Sequence, residues 1–255
     1  MTETVFVAGA TGAIGSVLVP LLVDAGYRVV GSTRRPERVA AIEAMGATAA
    51  VVDVFDAAAL LQAVRRAEPA IVVHQLTDLP PALDPARMAD AVARNARIRD
   101  EGTRNLVGAA VVAGATRLVA QSIAWAYAPG SKPYKESQPL DLAAEGARAI
   151  SIAGVASLER QVLANPALRG AVLRYGNLYG PRTGRDAPSG ACPVHVEAAA
   201  WAALLAVQQS ASGIFNIAED GNEVSSDKAK RELSWSAAMR LADRANANAD
   251  AKASR

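Results

Sequence analysis

The chain has 255 residues and a formal net charge of +2, from 27 basic and 25 acidic side chains. With 51% apolar and 20% charged residues it has a globular composition, which excludes collagenous, disordered and disulfide-stapled classes. The basic residues are scattered, so we predict no nucleic-acid partner and no membrane partner. The single cysteine, Cys192, cannot form an intrachain disulfide, and no Cys/His cluster has zinc-ligand spacing. We predict no metal site and a reducing, cytoplasmic location.

The first segment of the chain, Thr4 to Val23, carries no charge and is long enough to cross a bilayer. It contains three glycines and Pro20, and no basic residue precedes it to form the start of a signal peptide. We interpret it as a buried strand, a glycine turn and an amphipathic helix.

Short β-branched segments alternate with helical patterns along the rest of the chain, which is typical of βαβ units around a parallel sheet. The predicted strands are 4–8, 28–32, 48–52, 70–75, 117–121, 171–175 and 213–217. Predicted helices include one that ends at Gly26, two longer ones over 85–113 and 146–164, and a short one over 225–233. The fold class is therefore α/β, a doubly wound parallel sheet of seven strands.

The first strand leads into a glycine turn, Gly9-Ala10-Thr11-Gly12-Ala13-Ile14-Gly15, that opens the first helix. Glycines at this spacing allow a tight turn, a close approach of the backbone to a pyrophosphate, and close packing of helix on strand. The phosphates then bind at the helix N-terminus. The sequence thus predicts a dinucleotide site at Gly9, Thr11, Gly12, Ala13, Ile14 and Gly15, against the alternative of an ordinary glycine-rich turn.

The second strand ends in Ser32-Thr33-Arg34-Arg35, where an NAD enzyme places an acidic residue for the ribose 2′-hydroxyl. A guanidinium at Arg34, with Arg35 beside it, suits a 2′-phosphate instead. We predict NADP, with NAD as the second choice, and a solvated pair of arginines as the alternative. Asp53, after the third strand, either lies near the adenine or caps the next helix.

The ordered series of motifs resembles the extended short-chain dehydrogenase/reductase family of the NAD-dependent epimerase/dehydratase type. The segments that carry the resemblance are the glycine turn, Val72–Gln75, Gly102–Leu106 with Ala109 and Ala110, Ser122–Tyr127, Leu173–Pro181, Val194–Glu197 and Lys230–Trp235. It implies a Rossmann-like NAD(P)-binding domain over 1–178 and a small substrate portion over 179–240, with strand 213–217 returning to the main sheet. A disordered tail over 241–255 follows from its composition. Further cofactor contacts are expected at Val54, Gln75, Leu76, Gln121, Tyr175, Gly176 and Asn177.

The catalytic residues of the family are the main departure. There, a Tyr and a Lys four residues apart exchange a proton with the substrate while hydride moves to or from the nicotinamide. Counting back from Glu159, these positions hold Ser151 and Val155, and the partner serine position holds Ile123. Neither Ser151 nor Val155 can perform this chemistry.

Three side chains are the candidate substitutes, Ser122, Tyr127 and Tyr175, each with packing as the alternative role. The resemblance implies a nicotinamide-dependent oxidoreductase that acts on a small carbonyl or alcohol with a noncanonical proton donor. The alternative is a catalytically silent NADP-binding sensor of the NmrA-like type, which also lacks the Tyr/Lys pair. The resemblance further implies a homodimer through the helices near 85–113 and 146–164, although Arg94, Arg97, Arg99 and Arg104 make the first of these unusually charged.

Overall fold

A computed structural model describes residues 2–80 and 84–241 of the chain. The strands are β1 (Thr4–Ala8), β2 (Arg28–Thr33), β3 (Thr48–Val51), β4 (Ile71–His74), β5 (Arg117–Ile123), β6 (Arg169–Tyr175), β7 (Asn177–Tyr179), β8 (Pro193–His195) and β9 (Gly213–Ile217). The helices are α1 (Gly15–Asp24), α2 (Val39–Glu43), α3 (Ala57–Ala67), α4 (Met88–Arg97), α5 (Thr103–Val112), α6 (Gly146–Leu163), α7 (Val196–Gln208) and α8 (Asp227–Leu233).

Seven strands form one sheet in the order β3-β2-β1-β4-β5-β6-β9, and every neighbouring pair is parallel. This confirms the predicted doubly wound fold. The chain starts at β1, builds outward to β3, and then returns to lay β4 on the other side of β1. Because the strand order reverses between β1 and β4, their carboxyl ends open a crevice in which such sheets bind ligands.

Helices cover both faces of the sheet and bury a separate apolar core on each. One core joins α1 and α7 to the sheet through residues such as Leu18, Leu22 and Leu204. The other core joins α3, α5 and α6 through residues such as Leu60, Leu106 and Leu158. Two-sided burial explains why the strands are nearly continuous apolar segments.

The helix predicted over 85–113 is continuous but not uniform. A 3-10 turn, Pro85–Arg87, leads into α4, and a π-helical turn, Ile98–Gly102, joins α4 to α5. Such π turns widen a helix locally and are frequent at functional sites. Two side chains of α6 hold this turn in place. The Ser157 hydroxyl donates to the Asp100 carboxylate (2.6 Å), and the Gln161 side-chain amide donates to the Asp100 backbone carbonyl (3.1 Å).

A small two-stranded sheet of β7 and β8 stands apart from the main sheet and was not predicted. It includes residue 178, where we placed the domain boundary. Beyond it, β9 pairs with β6 in the main sheet and α7 packs on α1. The predicted disordered tail lies outside the described residues except for Leu241. No helix in the described ranges is long and apolar enough to span a membrane.

Candidate cofactor and reaction site

The glycine turn between β1 and α1 is closed so tightly that two of its glycines have no room for a side chain. A Cβ on Gly15 would lie 2.1 Å from the Gly9 carbonyl oxygen. Gly9 has φ +91°, and a Cβ there would lie 2.7 Å from the Gln75 carbonyl oxygen. At Gly12 the nearest atom would be 3.4 Å away, an ordinary van der Waals contact, so a methyl group would fit there. The turn thus leaves its backbone free to approach a ligand at Gly12.

A cavity of about 210 Å³ opens beside this turn, at the carboxyl ends of β1, β2, β3 and β4. Nine of the predicted cofactor residues line it: Gly9, Thr11, Gly12, Arg34, Arg35, Asp53, Val54, Gln75 and Leu76. The cavity lies on the side of the turn where the adenosine half of a dinucleotide is expected. The other predicted contacts, Ala13, Ile14, Gly15, Gln121, Tyr175, Gly176 and Asn177, are not part of its lining.

Arg34 spans the mouth of this cavity. Its guanidinium pairs with the Asp78 carboxylate at 3.1 Å, and Asp78 also accepts from Arg94 at 3.1 Å. Arg35 stays exposed, and its amide donates to the Thr33 hydroxyl at 3.1 Å. The lining of the cavity thus holds two guanidinium groups, Arg34 and Arg35, and two carboxylates, Asp53 and Asp78.

Asp53 does not cap the following helix, which corrects one of its two predicted roles. Its carboxylate accepts from the Phe55 amide (2.9 Å), whereas Asp56 is the residue that caps α3 by accepting from the Ala59 amide (2.9 Å). Asp53 lines the cavity instead, beside Phe55.

Gln75 connects the cofactor cavity to the interior of the sheet. Its side-chain nitrogen Nε2 lies 3.5 Å from the Tyr175 hydroxyl. Its side-chain oxygen Oε1 is buried and has no hydrogen-bond partner among the described residues. Such an orphaned acceptor next to a glycine cradle fits a ligand with N–H groups to donate. Burial raises the pKa of Tyr175 well above its usual range. Its phenol therefore holds its proton firmly.

The residues that follow β6 are fixed by backbone contacts with Cys192. A Cβ on Gly176 would lie 2.0 Å from the Cys192 carbonyl oxygen, and the Asn177 amide donates to that same oxygen at 2.7 Å. Burial raises the pKa of the Cys192 thiol to about 11, so it is not a nucleophile at neutral pH. Gln121 is partly buried in β5.

Two of the three positions that the resemblance assigns to the proton relay, Ile123 and Val155, are apolar, and the third is Ser151. Ile123 and Val155 pack together with Ala126 and Ile152 in one buried cluster. Ser151 is 7% exposed, and its hydroxyl makes no hydrogen bond within the described part of the chain. A largely apolar cluster therefore lies at the positions inferred for the proton relay.

Ser122 lies on the other side of this cluster, in a buried network. Its hydroxyl donates to the Glu159 carboxylate at 2.8 Å, and Arg174 donates to both oxygens of Glu159 at 2.9 and 2.6 Å. All three side chains are nearly inaccessible to solvent. These contacts make Ser122 part of an ion-pair network that ties β5 and β6 to α6.

Tyr127 is also enclosed. Its hydroxyl donates to the Asn216 side chain at 2.6 Å, its ring stacks on Tyr134 with centroids 5.1 Å apart, and Arg174 lies over the ring at 4.8 Å. Burial raises its pKa despite the neighbouring arginine. A cavity of about 340 Å³ lies beside it, lined also by Trp125 and Arg148.

Both histidines make local structural contacts. The His74 ring accepts from the Leu76 amide (3.2 Å) and lies 3.0 Å from the Thr103 hydroxyl, and burial lowers its pKa to about 4. His195 caps α7 by accepting from the Glu197 amide (3.3 Å). His74 is therefore neutral at physiological pH.

Ten of the residues that line the cofactor cavity were not among the predicted contacts, and Phe55 and Asp78 are two of them. Phe55 forms a wall on which the Arg97 guanidinium stacks at 3.9 Å, and Asp78 pairs with Arg34. Asp78 falls in a proline-rich segment that follows β4. No local signal identified either residue as a cavity residue.

A family model named "NAD dependent epimerase/dehydratase family" matches residues 5–207 of the chain. The chain belongs to this family. Its match covers the glycine turn, the cofactor cavity, the relay positions and α7. The family resemblance inferred from the sequence is thereby confirmed.

A curated relative from a Streptomyces species is 42% identical over 237 residues, covering 85% of this chain and 76% of the relative. It is named 3-diazoavenalumate denitrifying reductase. Together, the family and this relative identify a nicotinamide-dependent protein of the oxidoreductase or epimerase kind.

Solved structures of the family share the fold at low identity. A UDP-glucose 4-epimerase from Stenotrophomonas maltophila with bound NAD is 19% identical, with a TM-score of 0.76 over 94% of this chain and 95% of that one. A UDP-glucose 4-epimerase from Thermotoga maritima with UDP-glucose is also 19% identical, with a TM-score of 0.74 over the same shares. These likenesses support the fold alone.

Proposed function

We propose that the protein is an NADPH-dependent reductase whose substrate takes up a hydride without needing a proton from a side chain. The observation that carries the proposal is the apolar cluster of Ile123, Ile152 and Val155 at the relay positions. The cradle for the dinucleotide is intact while the machinery for moving a proton is absent. A substrate matched to this site is one whose reduction consumes a hydride alone.

A diazo group attached to an aromatic ring has this property. An arenediazonium ion that accepts a hydride at its terminal nitrogen becomes a neutral aryl diazene. The diazene then loses its N–H proton, the N–H electrons complete the triple bond of N₂, and the electrons of the C–N bond stay on the ring carbon, which takes up a proton. One proton leaves and one arrives, so the net reaction is that of the diazonium ion with a hydride to give the arene and N₂.

Carbonyl reduction differs because hydride addition to carbon leaves an alkoxide that a general acid must protonate. Such assistance is typically worth 10²–10⁴-fold in rate. A small carbonyl or alcohol substrate would therefore depend on Ser122, Tyr127 or Tyr175 as the noncanonical donor. The buried contacts of these three hydroxyls, and the raised pKa of both tyrosines, favour the diazo substrate instead. The name of the Streptomyces relative supports the same choice.

The residues of this chain would divide the work of binding. The backbone at Gly12 and the start of α1 would hold the pyrophosphate, and Arg34 with Arg35 would hold a 2′-phosphate. When bound, the reduced nicotinamide supplies the hydride.

The second candidate function is the silent NADP-binding sensor. The same apolar cluster supports it, because a protein that only reports the redox state of its cofactor needs no relay. Turnover separates the two candidates.

The experiment that tests the proposal combines NADPH with 4-carboxybenzenediazonium and follows NADPH absorbance and N₂ release together. We expect one N₂ and one benzoate for each NADPH oxidised, at a rate well above that of a sample without protein. NADPH binding in a thermal-shift assay, with no turnover above the protein-free rate, would reject the reductase and favour the sensor.

A further inference from the structure

A second cavity, of about 340 Å³, opens at the carboxyl end of β5 and shares no lining residue with the cofactor cavity. Ala124, which lines it, directly follows the relay position Ile123, and the Ala124 amide donates to the Tyr175 carbonyl at 2.8 Å. Arg148 of α6 also lines it and lies one turn before Ser151. The two elements that carry the relay positions therefore both border this cavity.

The second cavity lies on the side of the sheet where the nicotinamide half of a dinucleotide is expected. The cofactor cavity occupies the ends of β1 to β4, and the sheet continues from β4 to β5 and β6. A molecule bound at the end of β5 would thus lie beside the ring that supplies the hydride.

Trp125 is the aromatic residue of this cavity that has no ring or cation partner among the described residues. It is 40% exposed, and its backbone carbonyl accepts from Arg148 at 3.1 Å. The other two rings in the lining, Tyr127 and Tyr134, stack on each other with centroids 5.1 Å apart. Arg174 lies over the first of them at 4.8 Å. The indole is therefore anchored through its backbone and still available to stack on a ligand.

The charged groups in the lining favour a cation. Arg148 pairs with Asp141 at 2.7 Å and donates to two backbone carbonyls, so its guanidinium is engaged. Glu223 supplies a second carboxylate, and its ion-pair partner Lys132 is half-exposed and not part of the lining. The lining thus contains one guanidinium and two carboxylates.

We propose that this cavity binds the aromatic ring of the substrate, that Trp125 stacks on this ring, and that the site selects a ring with positive charge. The inference rests on the proposed reductase function, because it identifies the ligand as the substrate of the reductase. Among side-chain rings, an indole attracts a cation most strongly. An arenediazonium ion is flat, electron-poor and positively charged, so it suits both the indole and the two carboxylates. The substrate class is therefore an arenediazonium ion that binds in its cationic form.

The test measures binding to the protein saturated with NADP⁺, using three stable bicyclic probes of similar shape. The cation is 1-methylquinolinium, its neutral counterpart is 1-methylnaphthalene, and the anion is 1-naphthoate. We expect the wild type to bind the cation more tightly than the anion. In Trp125→Leu, the ratio of cation affinity to neutral affinity should fall roughly two- to thirtyfold, the range of a cation–π contact.

Tryptophan fluorescence locates the bound cation. Trp201 and Trp235 belong to the core around α7 and do not line the cavity. We therefore expect 1-methylquinolinium to quench the emission of the wild type but not that of Trp125→Phe, which keeps an aromatic ring and part of the binding. Equal quenching of the two proteins would place the probe elsewhere and overturn the proposal.

A second variant tests the charge without changing the indole. Glu223→Gln should weaken the binding of 1-methylquinolinium and leave that of 1-methylnaphthalene unchanged. Glu43→Gln, the control, removes the same charge from an exposed position on α2 and should change neither affinity. An unchanged affinity ratio in Trp125→Leu or in Glu223→Gln, or an anion bound as tightly as the cation by the wild type, would overturn the proposal.

Probe binding requires no turnover, so the cavity and the proposed reaction can fail separately. Loss of cation binding in Trp125→Leu, together with no turnover of 4-carboxybenzenediazonium by the wild type, would reject the reductase but keep the aromatic cation site. Turnover by the wild type and by Trp125→Leu with the same KM, and no preference for the cationic probe, would do the reverse.

Discussion

At the scale of single residues, we expect Arg34 to set the preference between the two nicotinamide cofactors. Its ion pair with Asp78 is half-exposed, and Asp78 keeps Arg94 as a second partner when a phosphate displaces it. We expect Arg34→Ala to weaken NADPH binding roughly ten- to hundredfold while NADH binding changes little. Isothermal titration with both cofactors measures this, with Arg65→Ala on the exposed side of α3 as the control. Equal affinity of the wild type for NADPH and NADH would contradict it.

Protonation of His74 makes the free energy of unfolding depend on pH. Its pKa is lowered from an ordinary value near 6.5 to about 4 by burial, so between these pH values the unfolded chain binds a proton that the folded chain refuses. Stability is therefore complete above pH 6.5 and is lost as the pH falls toward 4. We expect this residue to cost about 2 kcal/mol of unfolding free energy between pH 7 and pH 5. Urea unfolding at both pH values measures the loss of unfolding free energy, which should be absent from His74→Gln. The same loss in both proteins would show that other groups cause it.

At the scale of elements, the glycine turn separates stability from cofactor binding. A methyl group at Gly12 meets nothing closer than 3.4 Å, whereas one at Gly15 would collide with the Gly9 carbonyl at 2.1 Å. We expect Gly12→Ala to unfold at the wild-type temperature but to bind NADPH at least tenfold more weakly, because the methyl group occupies the approach of the pyrophosphate. Gly15→Ala should lose both stability and binding. Thermal unfolding and NADPH titration of the two variants test this prediction. Full NADPH affinity in Gly12→Ala would show that the pyrophosphate does not bind at Gly12.

The same elements show what the sequence could predict. All seven strands of the main sheet were located because apolar periodicity and glycine turns are local signals. The π turn at Ile98–Gly102 was not, because it depends on hydrogen bonds from Ser157 and Gln161, more than fifty residues away. Strands β7 and β8 have three residues each, too few for a period of two to be recognised.

Some features of the site could likewise be predicted from the sequence, and others could not. Nine cavity residues were predicted from the turn and from strand ends, where position alone decides the role. The pairing of Asp78 with Arg34 and Arg94 depends on which partners the fold supplies.

At the scale of the whole molecule, α4 and α6 offer the surface for the homodimer that we propose from the family resemblance. Ile150 of α6 is 47% exposed, and Ala153 lies exposed one turn further. An isolated apolar side chain needs no explanation, but on this face a partner would cover it. We expect the wild type to sediment as a dimer at micromolar concentration and Ile150→Glu as a folded monomer. Ala143→Glu, exposed outside α6, is the control, and a monomeric wild type would contradict the dimer.

For the whole site, we propose that an intact dinucleotide cradle lies beside relay positions that no longer carry the proton donor. The measurement that tests it most directly compares 4-carboxybenzenediazonium with 4-carboxybenzaldehyde, which share the ring and the carboxylate and differ in whether reduction needs a proton at oxygen. The account predicts NADPH-dependent turnover of the diazonium with release of N₂ and, lacking the roughly 10²–10⁴-fold assistance of a general acid, no turnover of the aldehyde above the protein-free rate. Comparable kcat/KM values for the two substrates, with the aldehyde activity lost in Tyr127→Phe or Tyr175→Phe, would contradict it.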